Sequence, residues 1–253
     1  MAKVTIKHVA ELSGVHPSTV SRVFSGSAKI SPATRQRVTE AAARLNFHPN
    51  AIARSLSIRR VHTLGMVIPY THQEFFVDSF FPQVMRGLAD VAYRQGFQVM
   101  LAGADDPKDE PQVALKLIRS RQVDGMFVQA SRVGVDTTDV LLAEELPFVL
   151  LGRPVDDKPD ISWIEVDARQ ATREAIQYLI SLGHQRIGFI GGTFNMVVTL
   201  DRLQGYRQAL TEAGLTCDER LIGYGEFDQE GGARAMRQFL AQGQARPTGV
   251  FAA

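Results

Sequence analysis

Apolar and polar positions follow one rule before residue 63 and another after it. In the first stretch only helical spacing occurs. Ile6, Val9, Ala10 and Leu12 fall at inward positions of one short helix that Thr5 can cap and Ser13-Gly14 can end. Pro17 suits the first turn of a second helix, where a missing N–H costs nothing; Val20 and Val23 form its inner face and leave Thr19, Ser21 and Arg22 outward. Ser31-Pro32 opens a third helix with Val38, Ala41, Ala42 and Leu45 inward, and Phe47-His48-Pro49 closes it. The spacing therefore predicts three helices around a miniature core. Asn50 can cap one more segment over residues 51–57, too short to be stable alone in water, and residues 59–62 read as a linker.

From Thr63 onward, short β-rich runs alternate with amphipathic stretches. Strands are expected at 64–68, 97–101, 125–128, 148–151, 161–166, 187–190, 221–224 and 249–252. Helices are expected at 79–95, 109–121, 137–145, 168–182, 200–213 and 229–242. This order predicts doubly wound parallel sheets covered on both faces. The run at 161–166 follows another strand through a Pro/Asp-rich loop with no helix between, after which the helix-strand order restarts. Two subdomains are thus expected, about 63–166 and 167–253. The last run, 249–252, has the pattern of a buried strand with nothing after it, so the second subdomain is expected to be incomplete and the chain cut short.

Composition narrows the class. The chain has 253 residues, 45% of them hydrophobic, enough for a sizeable core and too apolar for a disordered protein. Its apolar runs are far shorter than the roughly 20 residues that cross a bilayer, and the N-terminus lacks a secretory pattern, which predicts a cytoplasmic protein. Cys217 alone can form neither an internal disulfide nor a zinc site. Charge is the sharper signal. Residues 1–60 carry ten Lys/Arg against two acids, an excess of eight positive charges, whereas the remainder carries 18 against 25. A basic module for a polyanion, joined to a mildly acidic body, is the expectation.

Two helices joined by a short Gly-containing turn inside that basic segment match a helix-turn-helix, whose second helix enters the major groove. The N-terminal residues of the second helix would meet base edges, and Arg22 can bond guanine O6 and N7 together. No catalytic pattern competes. There is no GxGxxG after the first strand, no P-loop, no GxSxG and no HExxH or Cys/His cluster, and Asp105-Asp106 and Asp156-Asp157 read as solvated turns. Neither an enzyme nor a cofactor or metal site is expected.

The runs Thr5-Ile6-Lys7-His8-Val9-Ala10-Glu11-Leu12-Ser13-Gly14-Val15, Thr19-Val20-Ser21-Arg22-Val23 and Leu45-Asn46-Phe47-His48-Pro49-Asn50 closely resemble the DNA-binding headpiece of the lactose-repressor (LacI/GalR) family. Gly65-Met66-Val67-Ile68-Pro69, Asp124-Gly125, Val166-Asp167, the run Leu182 through Gly191 and Arg202-Leu203-Gln204-Gly205-Tyr206 extend the resemblance over essentially the whole chain. It implies a transcriptional regulator, most simply a repressor, whose homodimer holds a pseudo-palindromic double-stranded operator under the control of a small carbohydrate effector. The implied organisation is a headpiece at 1–49, a hinge helix and linker at 50–62, and a periplasmic-binding-protein-like effector domain at 63–253. Family members normally continue for several more strands and helices, which complete the second subdomain and the dimer interface.

Carried over position by position, the resemblance assigns base contacts to His16, Pro17, Ser18, Ser21 and Arg22, and backbone contacts to Thr19, Ser25, Ser31, Thr34 and Asn50. Ile6 and Ala53 join the DNA-binding set, and Leu56 matches a leucine that wedges into the minor groove. The effector set is Tyr70, Phe80, Gln129, Asp167, Arg202 and Phe227. Asp167, Gln129 and Arg202 suit paired hydroxyls, and Phe227 or Tyr70 suits the apolar face of a sugar ring. Arg202 has a rival reading, a plain ion pair with Asp201 or Glu226. Two other classes remain: a ligand-binding protein without DNA function, against which the basic headpiece argues, and a non-functional fragment of a regulator.

Overall fold

The computed structural model describes residues 4–25, 28–47, 60–69, 80–129, 132–135, 137–156 and 161–253. The chain divides into two compact units, Met1–His62 and Thr63–Ala253.

The first unit is all helical. Helices α1 (Ile6–Ser13), α2 (Pro17–Phe24) and α3 (Pro32–Arg44) enclose Val9, Ala10, Val20, Val23, Val38, Ala41 and Ala42. Ile6, Val15, Phe24, Ile30, Leu45 and Phe47 close over that core, the two phenylalanine rings 5.9 Å apart. Gly14 ends α1 at φ +66, where a side chain would strain the backbone, and the next amide, Val15 N–H, reaches back to the Ala10 carbonyl at 3.1 Å. One inward position was misassigned. Leu12 is exposed and Ser13 is buried, its hydroxyl donating to the Val9 carbonyl at 2.6 Å. At about 100° per residue, position 12 turns away from the face shared by 6, 9, 10 and 13.

The second unit holds two parallel sheets. The chain runs β1 (Thr63–Pro69), α4 (Phe80–Arg94), β2 (Gln98–Ala104), α5 (Glu110–Arg119), β3 (Gly125–Gln129), α6 (Thr137–Ala143), β4 (Phe148–Leu151) and β5 (Ser162–Ile164). These strands form one sheet in the order β2-β1-β3-β4-β5. There follow α7 (Ala168–Ser181), β6 (Ile187–Gly191), α8 (Val197–Glu212), β7 (Ile222–Tyr224), α9 (Gln229–Leu240) and β8 (Gly249–Ala252), with the second sheet ordered β7-β6-β8.

Both sheets are covered on two faces. In the first, Val67, Met126, Val128 and Leu150 pack with Ala114, Leu117 and Leu141 of α5 and α6, while Met66 and Ile68 meet Phe81 and Met85 of α4 on the other side. In the second, Ile187 and Phe189 pack with Ile176 of α7 and Leu203, Tyr206 and Leu210 of α8, and Ile190 meets Ala235 and Phe239 of α9 opposite. The Tyr206 hydroxyl, fully buried, donates to the Ile187 carbonyl at 2.8 Å.

In each sheet a central strand is flanked by the strand that follows it and by a later one. That reversal leaves a crevice at the carboxyl ends of β1 and β3, and another at those of β6 and β8. Strand β2, helix α8 and strand β5 depart most from the expected pattern. Strand β2 extends to Ala104 because it pairs with β1 along its whole length, from Thr63 with Gln98 to Pro69 with Ala104. Helix α8 starts at Val197 instead of residue 200, since the Met196-Val197 pair is buried under its first turn. Strand β5 is an exposed edge: Trp163 and Ile164 are more than half exposed, unlike the fully covered strand expected.

Candidate functional site

The outer face of α2 is built by its own capping. His16 precedes Pro17 as N-cap, and its Nδ1 lies 3.3 Å from the Ser18 amide that donates to it and 2.8 Å from the Ser18 hydroxyl. This fixes the ring and the hydroxyl together at the start of the helix. Val20 and Val23 anchor the opposite face, so His16, Ser18, Ser21 and Arg22 stand exposed, with Pro17 and Thr19 half-buried between them. The Arg22 guanidinium forms no hydrogen bond or ion pair among the described residues. Ser25 donates to the Arg22 carbonyl at 3.2 Å, and Ser31 caps α3 by accepting from the Thr34 amide at 3.2 Å while donating to the Thr34 hydroxyl at 2.9 Å. Ile6 is half-buried against the core, so part of its side chain already serves packing. Asn50, Ala53 and Leu56 lie outside the described residues, as does Tyr70.

In the body, segments leaving the carboxyl ends of the two sheets' strands meet. Arg153, two residues beyond β4, bonds Asp201 of α8 in a fork, Nε to Oδ2 at 2.7 Å and Nη2 to Oδ1 at 2.6 Å. Arg132, after β3, bridges to Met196, and the Val133 amide donates to the Asn195 carbonyl at 2.9 Å. Asp201 is thus engaged by Arg153 and not by Arg202. The Arg202 guanidinium instead lies 5.8 Å from the centre of the Phe227 ring, half-buried, and burial, with no carboxylate partner among the described residues, holds it below the ordinary arginine range.

Phe227 is held by strain and by space. Both Glu226 and Phe227 adopt left-handed backbone, φ +55 and +62, costly for residues with side chains and typical of over-determined positions in binding sites. The ring covers Gly192, just after β6, where an added Cβ would fall 2.0 Å from ring carbons. Phe80 opens α4 half exposed, edge-on to Phe81 at 5.2 Å. Asp167 is exposed and caps α7, accepting from the Gln170 amide at 2.8 Å; one of its oxygens therefore already has a structural task.

Gln129 ends β3 and lines a small cavity, about 20 Å³, with Glu110, Arg132 and Thr137. That is room for a water-sized group. Burial raises the Glu110 carboxyl to about 7, against the opposing pull of Arg132. Six buried side-chain atoms have no hydrogen-bond partner among the described residues, and five of them, Gln129 Nε2, Thr137 Oγ1, Glu165 Oε2, Asn195 Oδ1 and Thr199 Oγ1, follow the carboxyl ends of β3, β5 or β6. Buried polar groups are rarely left unpaired, so each of these atoms keeps hydrogen-bonding capacity that a water or an external polar group can take up. Sequence reasoning missed Arg153, Glu165, Asn195 and Thr199: Arg153 read as loop, Glu165 as the polar member of an apolar run, and the other two carried no pattern. No group of His, Cys, Asp and Glu suited to a metal occurs among the described residues, and no described helix is long and apolar enough to cross a membrane.

Comparison with known proteins agrees with this layout. Residues 5–50 match the family described as bacterial regulatory proteins, lacI family, and residues 61–252 match periplasmic binding proteins and sugar binding domain of LacI family. The chain is 37% identical over 238 residues to the HTH-type transcriptional regulator MalR of Streptococcus pneumoniae, covering 94% of this chain and 72% of that protein. It is 35% identical to the regulator CelR of Thermobifida fusca, covering 93% and 69%. Among solved structures, a CelR–cellobiose complex superposes with a TM-score of 0.70 at 34% identity, over 99% of this chain and 74% of the other. The lac repressor dimer bound to operator and an anti-inducer superposes with a TM-score of 0.82 at 25% identity, over 100% and 74%. The chain belongs to the LacI family of bacterial transcriptional regulators.

Proposed function

We propose that the protein is a cytoplasmic, non-enzymatic, operator-binding repressor that acts as a homodimer and responds to a small carbohydrate. The organisation we propose is a DNA-binding headpiece at 1–49, a hinge at 50–62 and an effector domain from residue 63, in subdomains of about 63–166 and 167–253. The observation that carries the DNA reading is the face of α2, where His16, Ser18, Ser21 and Arg22 stand exposed on a buried valine pair within a strongly basic segment. His16, Pro17, Ser18, Ser21 and Arg22 are the proposed base readers, with Ile6, Thr19, Ser25, Ser31, Thr34, Asn50, Ala53 and Leu56 as backbone and minor-groove contacts.

For the effector, the strained Phe227 beside Arg202 suits the apolar face and hydroxyl rim of a sugar. Gln129, Asp167, Phe80 and Tyr70 complete the proposed set. CelR has been solved with cellobiose, which makes a glucose disaccharide the first candidate class. An effector that prefers the arrangement with low operator affinity weakens DNA binding by the same factor as DNA weakens its own binding. The test is fluorescence anisotropy of the chain on duplex DNA from upstream of its own gene, against a scrambled duplex, across a salt series and with a panel of glucose disaccharides. Selective, salt-steep binding that a disaccharide reverses is the expected result. Equal weak binding to both duplexes would sink the DNA reading, and no response to any sugar the effector reading.

A further inference from the structure

We infer that Glu165 is a hydroxyl-accepting carboxylate of the effector site, with Arg153 as the residue that positions it. This rests on the carbohydrate-effector reading and adds to it a specific recognition group. Glu165 immediately follows β5, at the carboxyl end of the sheet whose β3 ends at Gln129. Arg153 is its favourable neighbour, since both the Arg153 charge and the Arg153 backbone amide favour the ionised carboxylate. Its Oε2 is buried and has no hydrogen-bond partner among the described residues.

Arg153 is the cation in a position to neutralise that oxygen, and its guanidinium is committed elsewhere: Nε and Nη2 go to Asp201 and Nη1 donates to the Pro154 carbonyl at 3.2 Å. Asp201 and Asp167 are the other charged groups acting on Glu165, both of like sign. The carboxylate is therefore surrounded by partners that are either taken or repulsive. A neutral donor is the ligand chemistry that satisfies such an oxygen without a counter-charge, and a sugar hydroxyl is that donor. Burial, then the Asp201 charge, raises the Glu165 carboxyl above its ordinary value, which strengthens it as an acceptor while it stays ionised. Asp167, the carboxylate that sequence reasoning favoured, is a weaker candidate, since the helix cap holds one of its oxygens and the residue is exposed.

The experiment is isothermal titration of the whole chain and of Glu165→Gln and Glu165→Ala with the tightest binder of a glucose-disaccharide panel that begins with cellobiose, then with its monodeoxy analogues. Glu165→Gln keeps an oxygen for the Arg153 amide, and an unliganded melting profile matching the parent chain checks that it folds. The expected result is at least a tenfold loss of affinity in Glu165→Gln and a larger one in Glu165→Ala. One monodeoxy sugar should bind the parent chain at least tenfold more weakly than the intact disaccharide, yet bind Glu165→Ala as well as the intact disaccharide does. Variants that bind within twofold of the parent chain, or deoxy penalties that survive in Glu165→Ala, overturn the assignment and leave the carbohydrate reading standing. Failure of the parent chain to bind any sugar of the panel overturns both.

Discussion

Removing the Arg153 side chain isolates the charge pair that crosses the body from the end of β4 to α8. The contact is a fork of two short bonds, 2.7 and 2.6 Å, to an Asp201 side chain only 8% exposed, while the Arg153 side chain is 39% exposed. Breaking one side of a fully buried pair costs about 3–5 kcal/mol, and an exposed pair is worth about 0–1 kcal/mol. With the acid buried and the base partly solvated, Arg153→Ala is expected to destabilise the body by about 2 kcal/mol, because it leaves Asp201 desolvated and facing Glu165, a second acid. Asp201→Asn should cost about 1 kcal/mol, since the amide retains an acceptor. Removing both partners in favour of apolar side chains should recover part of the loss. The assay is urea denaturation followed by the fluorescence of Trp163, the chain's one tryptophan, which sits in β5 and so reports the body without the headpiece. A change below about 0.5 kcal/mol in Arg153→Ala would refute the reasoning. The pair would then be net neutral, and apolar packing with the Arg132–Met196 bridge would hold the two sheets together.

Three further outcomes follow from the packing and the titrations. Tyr206→Phe removes the hydroxyl bonded to the Ile187 carbonyl in a fully buried site and should cost about 1–2 kcal/mol in the same urea assay. Val38→Ala opens a gap in the small headpiece core and should destabilise that unit by about 2 kcal/mol, read as loss of helical circular dichroism at lower temperature while the Trp163 transition stays put. Glu110→Gln tests the raised carboxyl. With a folded pKa of about 7 above an ordinary value of 4.5, the parent chain loses stability as pH rises from about 4.5 to 7 and regains none above it. The variant should therefore match the parent near pH 4.5 and exceed it by up to about 3 kcal/mol at pH 8; a constant difference across that range would show that Glu110 is already ionised in the fold.

Much of the fold was legible because periodicity reports burial. The valine pair of α2 and the alternation of strand and helix after Thr63 each reflect one continuous apolar face. Legibility failed where partners distant in sequence decide. The reach of β2 to Ala104 depends on its pairing with β1, not on its own Leu101-Ala102-Gly103-Ala104 run, which has weak strand preference. Trp163 and Ile164 look like core residues in sequence, and only the sheet order puts them on an edge. At the body site, aromatic Phe227 could be named from resemblance, but the left-handed backbone that presents it and its contact with Gly192 could not. Polar residues were the least readable. The ion pair of Arg153 with Asp201 spans 48 positions, and an unpaired oxygen on Glu165 leaves no trace in composition or spacing.

The backbone at Phe227 also sets a limit on how this site can diversify. At φ +62 a β-branched side chain is strongly disfavoured, so valine, isoleucine and threonine carry a backbone cost at position 227 whatever the ligand. Exchange there favours side chains unbranched at Cβ, other flat rings above all, that can still cover Gly192. On the proposed effector reading, a lineage drifting toward a new effector would keep a ring at this wall and change its preference through the polar side chains around it, where single substitutions add or remove a hydroxyl contact without disturbing the main chain.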